Sequence, residues 1–243
     1  MLPTPSSSAW ARGLEMVNFF AQMIEHLPSW GPEMLVAAGQ TLTMTGATFV
    51  LAMALGVIVA LLRVSALRPL RWAAITFIEI GRGTPALVIL FIIYFGLPAV
   101  LPALSFSSFW AAVLGLGLQG AAILGEVFRS GIEAIDGGQR EASLALGLTP
   151  AQTMNDVIAP QALRIVLPPI GNYLIGLLKD TSIASIIAAP ELMLRAKDLA
   201  SSSFLPMHLY VLAALIYFAM SYPLALVFRR IERHYAQSRQ PVH

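Results

Sequence analysis

The sequence has 243 residues, of which 57% are hydrophobic and 12% charged, with no cysteine and a net charge of +2. A soluble domain carries about twice that share of charge, so intrinsic disorder, a disulfide scaffold and a thiolate metal site are excluded together. The mean hydropathy of +0.75 agrees, and the small basic excess does not make a nucleic-acid surface.

The first residues lack the basic start, apolar core and cleavage site of a signal peptide. Trp10, Leu14, Val17, Ala21 and Ile24 recur at helical spacing, with Arg12, Glu15, Gln22 and Glu25 on other faces. That pattern suits an amphipathic helix at a membrane surface, and a frayed polar tail is the alternative. Residues 1–34 are read as an extracytoplasmic segment, 35–228 as the membrane domain and 229–243 as a basic cytoplasmic tail.

Runs without charge then set the crossings. Met34–Leu62 is a run of 29 such residues, Gly83–Gly125 one of 43 and Leu199–Phe228 one of 30. Crossing a hydrocarbon core of roughly 30 Å takes about 20 apolar residues. The expected fold class is an all-α integral membrane protein with about five transmembrane helices and a cytoplasmic helix–turn–helix. The crossings fall near Gly39–Leu62, Trp72–Leu97, Phe109–Phe128, Pro169–Ala189 and Met207–Val227. With the amino terminus outside, ten arginines lie in inner segments, against three arginines and lysines outside. The positive-inside rule therefore places the carboxyl terminus in the cytoplasm.

Four intramembrane charges come in pairs, Glu79 with Arg82 and Glu126 with Arg129, each three residues apart and so on one helix face. They suit structural pairing or snorkelling, with substrate contact as the second reading. Their similar depth on the second and third crossings predicts a pair between helices, such as Glu79 with Arg129. Lys179 and Asp180 lie about nine residues into the fourth crossing, where a charge must be paired or face a wet cavity.

The loop over residues 136–160 reads as two short helices about a tight turn. Asp136 with Gln139, and Thr149 with Gln152, have capping-box spacing. Pro150 suits a first helical position, Gly147 a left-handed stop, and Pro160 the end of the second helix. An ordinary solvated loop is the competing reading.

The same loop resembles the EAA motif of permease subunits of binding-protein-dependent ABC importers. Glu141, Ala142, Gly147, Val157 and Pro160 match, while Ser143 and Ala159 depart mildly. The resemblance extends over roughly Leu35–Glu232. It includes Gly39-Gln-Thr-Leu42, Glu79-Ile-Gly-Arg82-Gly-Thr-Pro85, Tyr94-Phe-Gly-Leu-Pro98, Gly125-Glu-Val-Phe-Arg129-Ser-Gly131, Leu167-Pro-Pro-Ile-Gly-Asn172 and Lys179-Asp-Thr-Ser182. These are similar to the polar amino acid branch, the histidine/glutamine/arginine type.

The resemblance implies a subunit of a bacterial inner-membrane importer. Its partners would be a second permease, identical or related, two ATPase subunits, an extracytoplasmic binding protein, a polar amino acid and the lipid bilayer. Gly138, Gln139, Glu141, Ala142, Ser143, Gly147 and Pro160 become candidates for coupling to the ATPase. Glu79, Arg82, Glu126, Arg129, Asn172, Lys179, Asp180, Thr181 and Ser182 become candidates for the path. The chain has no Gly-x4-Gly-Lys-[Ser/Thr] loop, so ATP and magnesium belong to the partner ATPase. No catalytic group, metal site or nucleic-acid partner is expected. A self-sufficient secondary transporter would show paired repeats over more crossings, and a membrane enzyme would need a catalytic or metal cluster.

Overall fold

The computed structural model describes the backbone of residues 7–236 and the side-chain environment of residues 15–233. All regular elements in that range are helical. The first is α1 (Ser7–Arg63), unbroken although it carries Pro28 and Pro32. At 1.5 Å per residue it is about 85 Å long, far more than one crossing needs. The expected separate surface segment is instead the start of this helix. Trp30 and Met34 are buried and packed with side chains of α9 (Leu192–Ser203) and α10 (Pro206–Ala236), which anchor the helix where a boundary was expected. Val17, Phe20 and Ile24 are exposed. The side chains of Trp10, Arg12 and Leu14 lie outside the described residues, as does the end of the basic tail.

The second crossing is not one straight helix. α2 (Arg68–Gly83) and α3 (Ala86–Phe91) meet at a bend of 107°. Pro85 lacks an N–H and disfavours helix at the residue before it, and Thr84 is accordingly extended. The chain continues through a π-turn, Ile92–Gly96, into the short α4 (Leu97–Val100). The bend frees the Thr84 carbonyl, which would be costly in lipid. Gln119 Nε2 donates to it at 3.0 Å. Gln119→Leu is expected to destabilise the protein by about 1–3 kcal/mol, the cost of an unsatisfied buried acceptor. Thermal denaturation of the purified protein measures this, and an unchanged midpoint would mean that water already serves that carbonyl.

α5 (Ser108–Glu133) is the central helix, five residues longer at its carboxyl-terminal end than expected, with α1 packed along it. Twelve of its residues are buried, mostly alanine and glycine. A Cβ on Gly117 would lie 2.6 Å from Leu51 Cδ2, and one on Gly81 of α2 would lie 2.5 Å from Ala122 Cβ. Close backbone approach at small residues is how helices pack where lipid offers no hydrophobic drive.

After α6 (Gly137–Ala145) and the single turn α7 (Pro150–Gln152), the chain runs through a π-segment, Thr153–Ile158, directly into α8 (Ala159–Asp180). Pro160 therefore does not end a helix. It sits in the first turn of α8, where its missing N–H is tolerated behind the widened π-turn, and Gln161 Nε2 donates to the Val157 carbonyl at 2.9 Å. The helical stretch that holds the fourth crossing is thus longer than expected, reaching from Pro150 to Ile187. Its last part, Thr181–Ile187, is a 3-10 helix closed by left-handed Ala188. Four helices are long and apolar enough to cross a membrane among the described residues, and counting the bent α2/α3–α4 pair as one span gives five.

Candidate functional site

The loop between α5 and α8 is stiffened at both ends by side chains within it. Asp136 caps α6, accepting from the Gly138 N–H at 2.7 Å. The expected reciprocal bond from Gln139 does not form, because the Gln139 amide turns towards Gln161, whose Nε2 approaches Gln139 Oε1 at 3.5 Å. Gly147 has φ +82°. Its N–H donates to the Leu144 carbonyl at 3.0 Å, and that of Leu148 to the Ser143 carbonyl at 3.1 Å. This is a Schellman stop, with Gly147 the left-handed residue it requires. Two residues later Thr149 and Gln152 form the full capping box: Thr149 Oγ1 accepts from the Gln152 N–H at 3.3 Å, and Gln152 Oε1 from the Thr149 N–H at 2.9 Å.

These bonds set which side chains face outward. Glu141, Ala142, Leu144 and Leu146 are exposed, giving a small acidic and apolar surface about the turn. Ser143 is buried, and its hydroxyl donates to the Gln139 carbonyl. It is therefore turned inward and is not on the outward face. Gly138, Gln139 and Pro160 are exposed at the base of the loop.

The intramembrane polar residues are grouped differently from expectation. Arg129 binds Glu126 at 2.5 Å and also Glu133, both on its own helix. The expected Glu79–Arg129 pair is absent. Gly81 lies against Ala122 and Thr84 against Gln119, so Glu79 is level with Leu124, more than one turn from Arg129 and roughly 7 Å along the axis. Carboxylates three residues before and four residues after Arg129 are closer. Glu79 and Arg82 are exposed in the last turns of α2, next to the 107° bend.

Lys179 and Asp180 lie at a junction between two helix types. They are the exposed last residues of α8, at its change to 3-10 geometry. Lys179 and Ser182 line a cavity of about 520 Å³ with Met193, Tyr210 and Tyr217. Thr181 is buried, its hydroxyl donating to the Leu178 carbonyl at 2.8 Å. Asn172 is exposed two turns earlier on α8. No cluster of three or more potential metal ligands occurs among the described residues.

A buried polar knot was missed altogether. Glu191 is 1% exposed and caps α9, its carboxylate accepting from the N–H groups of Met193 (2.8 Å) and Leu194 (2.5 Å) and from Tyr217 Oη (2.7 Å). The Leu192 N–H donates to Thr41 Oγ1 at 3.0 Å. Burial pushes the Glu191 carboxyl above the usual range, against the lowering effect of those donors. The knot ties α1, α9 and α10 together. Its local signal was the Pro190-Glu191 pair before a periodic run, a helix start with an unusual capping residue.

A family model described as "Binding-protein-dependent transport system inner membrane component" matches residues 52–239. A probable amino-acid ABC transporter permease protein of Bacillus subtilis, YckA, is 41% identical over 206 residues, covering 84% of this chain and 90% of the relative. The arginine transport system permease protein ArtQ of the same organism is 35% identical over 202 residues, covering 83% and 92%. Among solved structures, an amino acid ABC transporter with histidines matches at a TM-score of 0.80 and 33% identity, covering 88% of this chain and 98% of the other.

Proposed function

We propose, for a chain that belongs to the family of binding-protein-dependent transport system inner membrane components, that it lines the path of a polar amino acid and draws on ATP hydrolysis by a separate subunit through the α6 turn. The chain is the permease component of a binding-protein-dependent amino acid ABC importer, a multi-pass membrane protein and not the enzyme of its complex. The observation that carries the coupling role is the outward face of α6, held between the Asp136 cap at its start and the Schellman stop at its end. A docking element must transmit force without unwinding, and both of its ends are fixed by bonds of its own.

The rod behind the turn supports the same reading. From Pro150 the helix runs without interruption to Asp180, so displacement of α6 and its turn passes along one element. That element ends at Lys179 and Asp180, and Lys179 and Ser182 line a cavity with Tyr210 and Tyr217 of α10. ATP and magnesium are held by two partner ATPases on the cytoplasmic side, where the arginine distribution places α6 and the carboxyl terminus. A second permease subunit completes the path, and an extracytoplasmic binding protein delivers the substrate. Polar amino acids are the favoured class because relatives such as the arginine permease carry that assignment.

Co-expression of the permease with its ATPase tests the dock. Glu141→Lys reverses the charge of the exposed face without touching a bond inside the loop. It should lower ATPase co-purification at least about tenfold, the scale of a lost charge-assisted contact, while the permease keeps its thermal midpoint. Unchanged co-purification, with unchanged substrate-stimulated hydrolysis across a panel of amino acids, would remove α6 as the dock.

A further inference from the structure

Three arginines from three separate elements converge on a cavity of about 480 Å³: Arg63 at the last turn of α1, Arg71 in the first turn of α2 and Arg140 on α6. Two acids, Glu133 and Asp136, share the wall. Both are engaged: Glu133 binds Arg129, and Asp136 accepts the Gly138 N–H. None of the three arginines has an ion pair among the described residues. With Arg129, these guanidinium groups stand against the carboxylates of Glu126, Glu133 and Asp136, which leaves the cluster one positive charge in excess.

Its level in the membrane follows from the sequence. Arg63 closes the charge-free run that begins at Met34, so it stands where hydrocarbon gives way to headgroups. Arg63 and Arg71 are half-buried, held in place rather than free in water. Next to them Val64, Leu67, Leu70 and Trp72 are exposed. Tryptophan favours the interface, and leucines left bare beside a cationic cavity suit acyl chains. We propose that this cavity binds the phosphate of an anionic phospholipid, with Arg63, Arg71 and Arg140 as its ligands and the α1–α2 turn as the seat of its acyl chains. Basic pockets between crossings take such headgroups, and guanidinium matches phosphate through paired N–H donors. An acidic protein surface would satisfy the arginines but not the exposed leucines and tryptophan.

The test uses the purified permease–ATPase complex in mixed micelles of phosphatidylglycerol and phosphatidylcholine, with bound lipid counted by native mass spectrometry. Phosphatidylglycerol should be retained over phosphatidylcholine. The Arg63→Gln/Arg71→Gln variant should lower that retention roughly thirtyfold, and Arg140→Gln alone about fivefold, given the usual contribution of each basic residue near a charged surface. Arg229→Gln/Arg230→Gln, on the exposed end of α10, should change it little. Equal losses in both double variants would assign the effect to diffuse charge and overturn the site. Displacement of the lipid by inorganic phosphate alone would make it a free-phosphate site instead. Retention that appears only when the ATPase is stripped away would show that a protein partner occupies the arginines. Arg140→Gln, on an exposed helix, keeps the test decisive if the double variant does not fold. Lipid counting requires neither transport nor a particular orientation, so its failure is separable from failure of the coupling reading.

Discussion

Gly81→Ala is expected to destabilise the protein by about 1–3 kcal/mol, and Ala122→Gly in the same chain is expected to restore most of the loss. The new Cβ would lie 2.5 Å from the Ala122 Cβ, well inside the 3.5–4.0 Å at which two carbons rest. Neither atom can swing away, because each is fixed by its own helix backbone. α2 and α5 must separate, and every small-residue contact along them weakens together. The strain also reaches the bend, since Gly81 lies three residues before Thr84 and Gln119 three before Ala122. Exchanging the methyl groups leaves the total volume unchanged, so the double variant should melt nearer the unmodified protein than Gly81→Ala does. Thermal midpoints of the four proteins in detergent give the coupling energy. Simply additive losses would mean that the two helices do not press together at this point.

Those small residues show what could be read before the fold was known. The crossings and their order follow from charge-free runs, because hydrocarbon rejects charge wherever it falls. The turn at Gly147 was equally readable, since its stop and its capping box use residues within nine positions of one another. The bend was not. Hydropathy over Trp72–Leu97 is indifferent to direction, and the group that makes the bend tolerable, Gln119, lies 35 residues beyond Thr84. Pro160 misled for a related reason. A proline marks a lost hydrogen bond, but a π-turn that absorbs the loss leaves no mark in composition. The inter-helix pairing of Glu79 with Arg129 failed because Arg129 had two carboxylates on its own helix. The Glu191 knot joins three helices across separations of up to 151 residues and had no local pattern beyond a single capping acid.

Gly147→Val should leave the crossings folded and abolish productive coupling. At φ +82° a side chain is strained wherever it points, and a β-branched one most of all. The cost is roughly 1–2 kcal/mol or more, and it falls on a turn whose Cβ would meet nothing within 4 Å. No clash is transmitted to the bundle, so the thermal midpoint of the membrane helices should fall only slightly. The turn can relieve the strain by giving up the Leu148–Ser143 and Gly147–Leu144 bonds, which close the end of α6 just before the start of the α8 rod. A lever released at this joint still meets the ATPase but no longer moves the rod. Basal ATP hydrolysis should therefore persist, while its stimulation by loaded binding protein falls at least about tenfold, equivalent to 1.4 kcal/mol of lost coupling. Gly147→Asn, which tolerates the left-handed region at a smaller cost, should recover much of the stimulation. If valine and asparagine behave alike and both match the unmodified complex, the left-handed turn is not the joint of the lever. If both abolish stimulation equally, the loss comes from a side chain obstructing the dock and not from backbone strain.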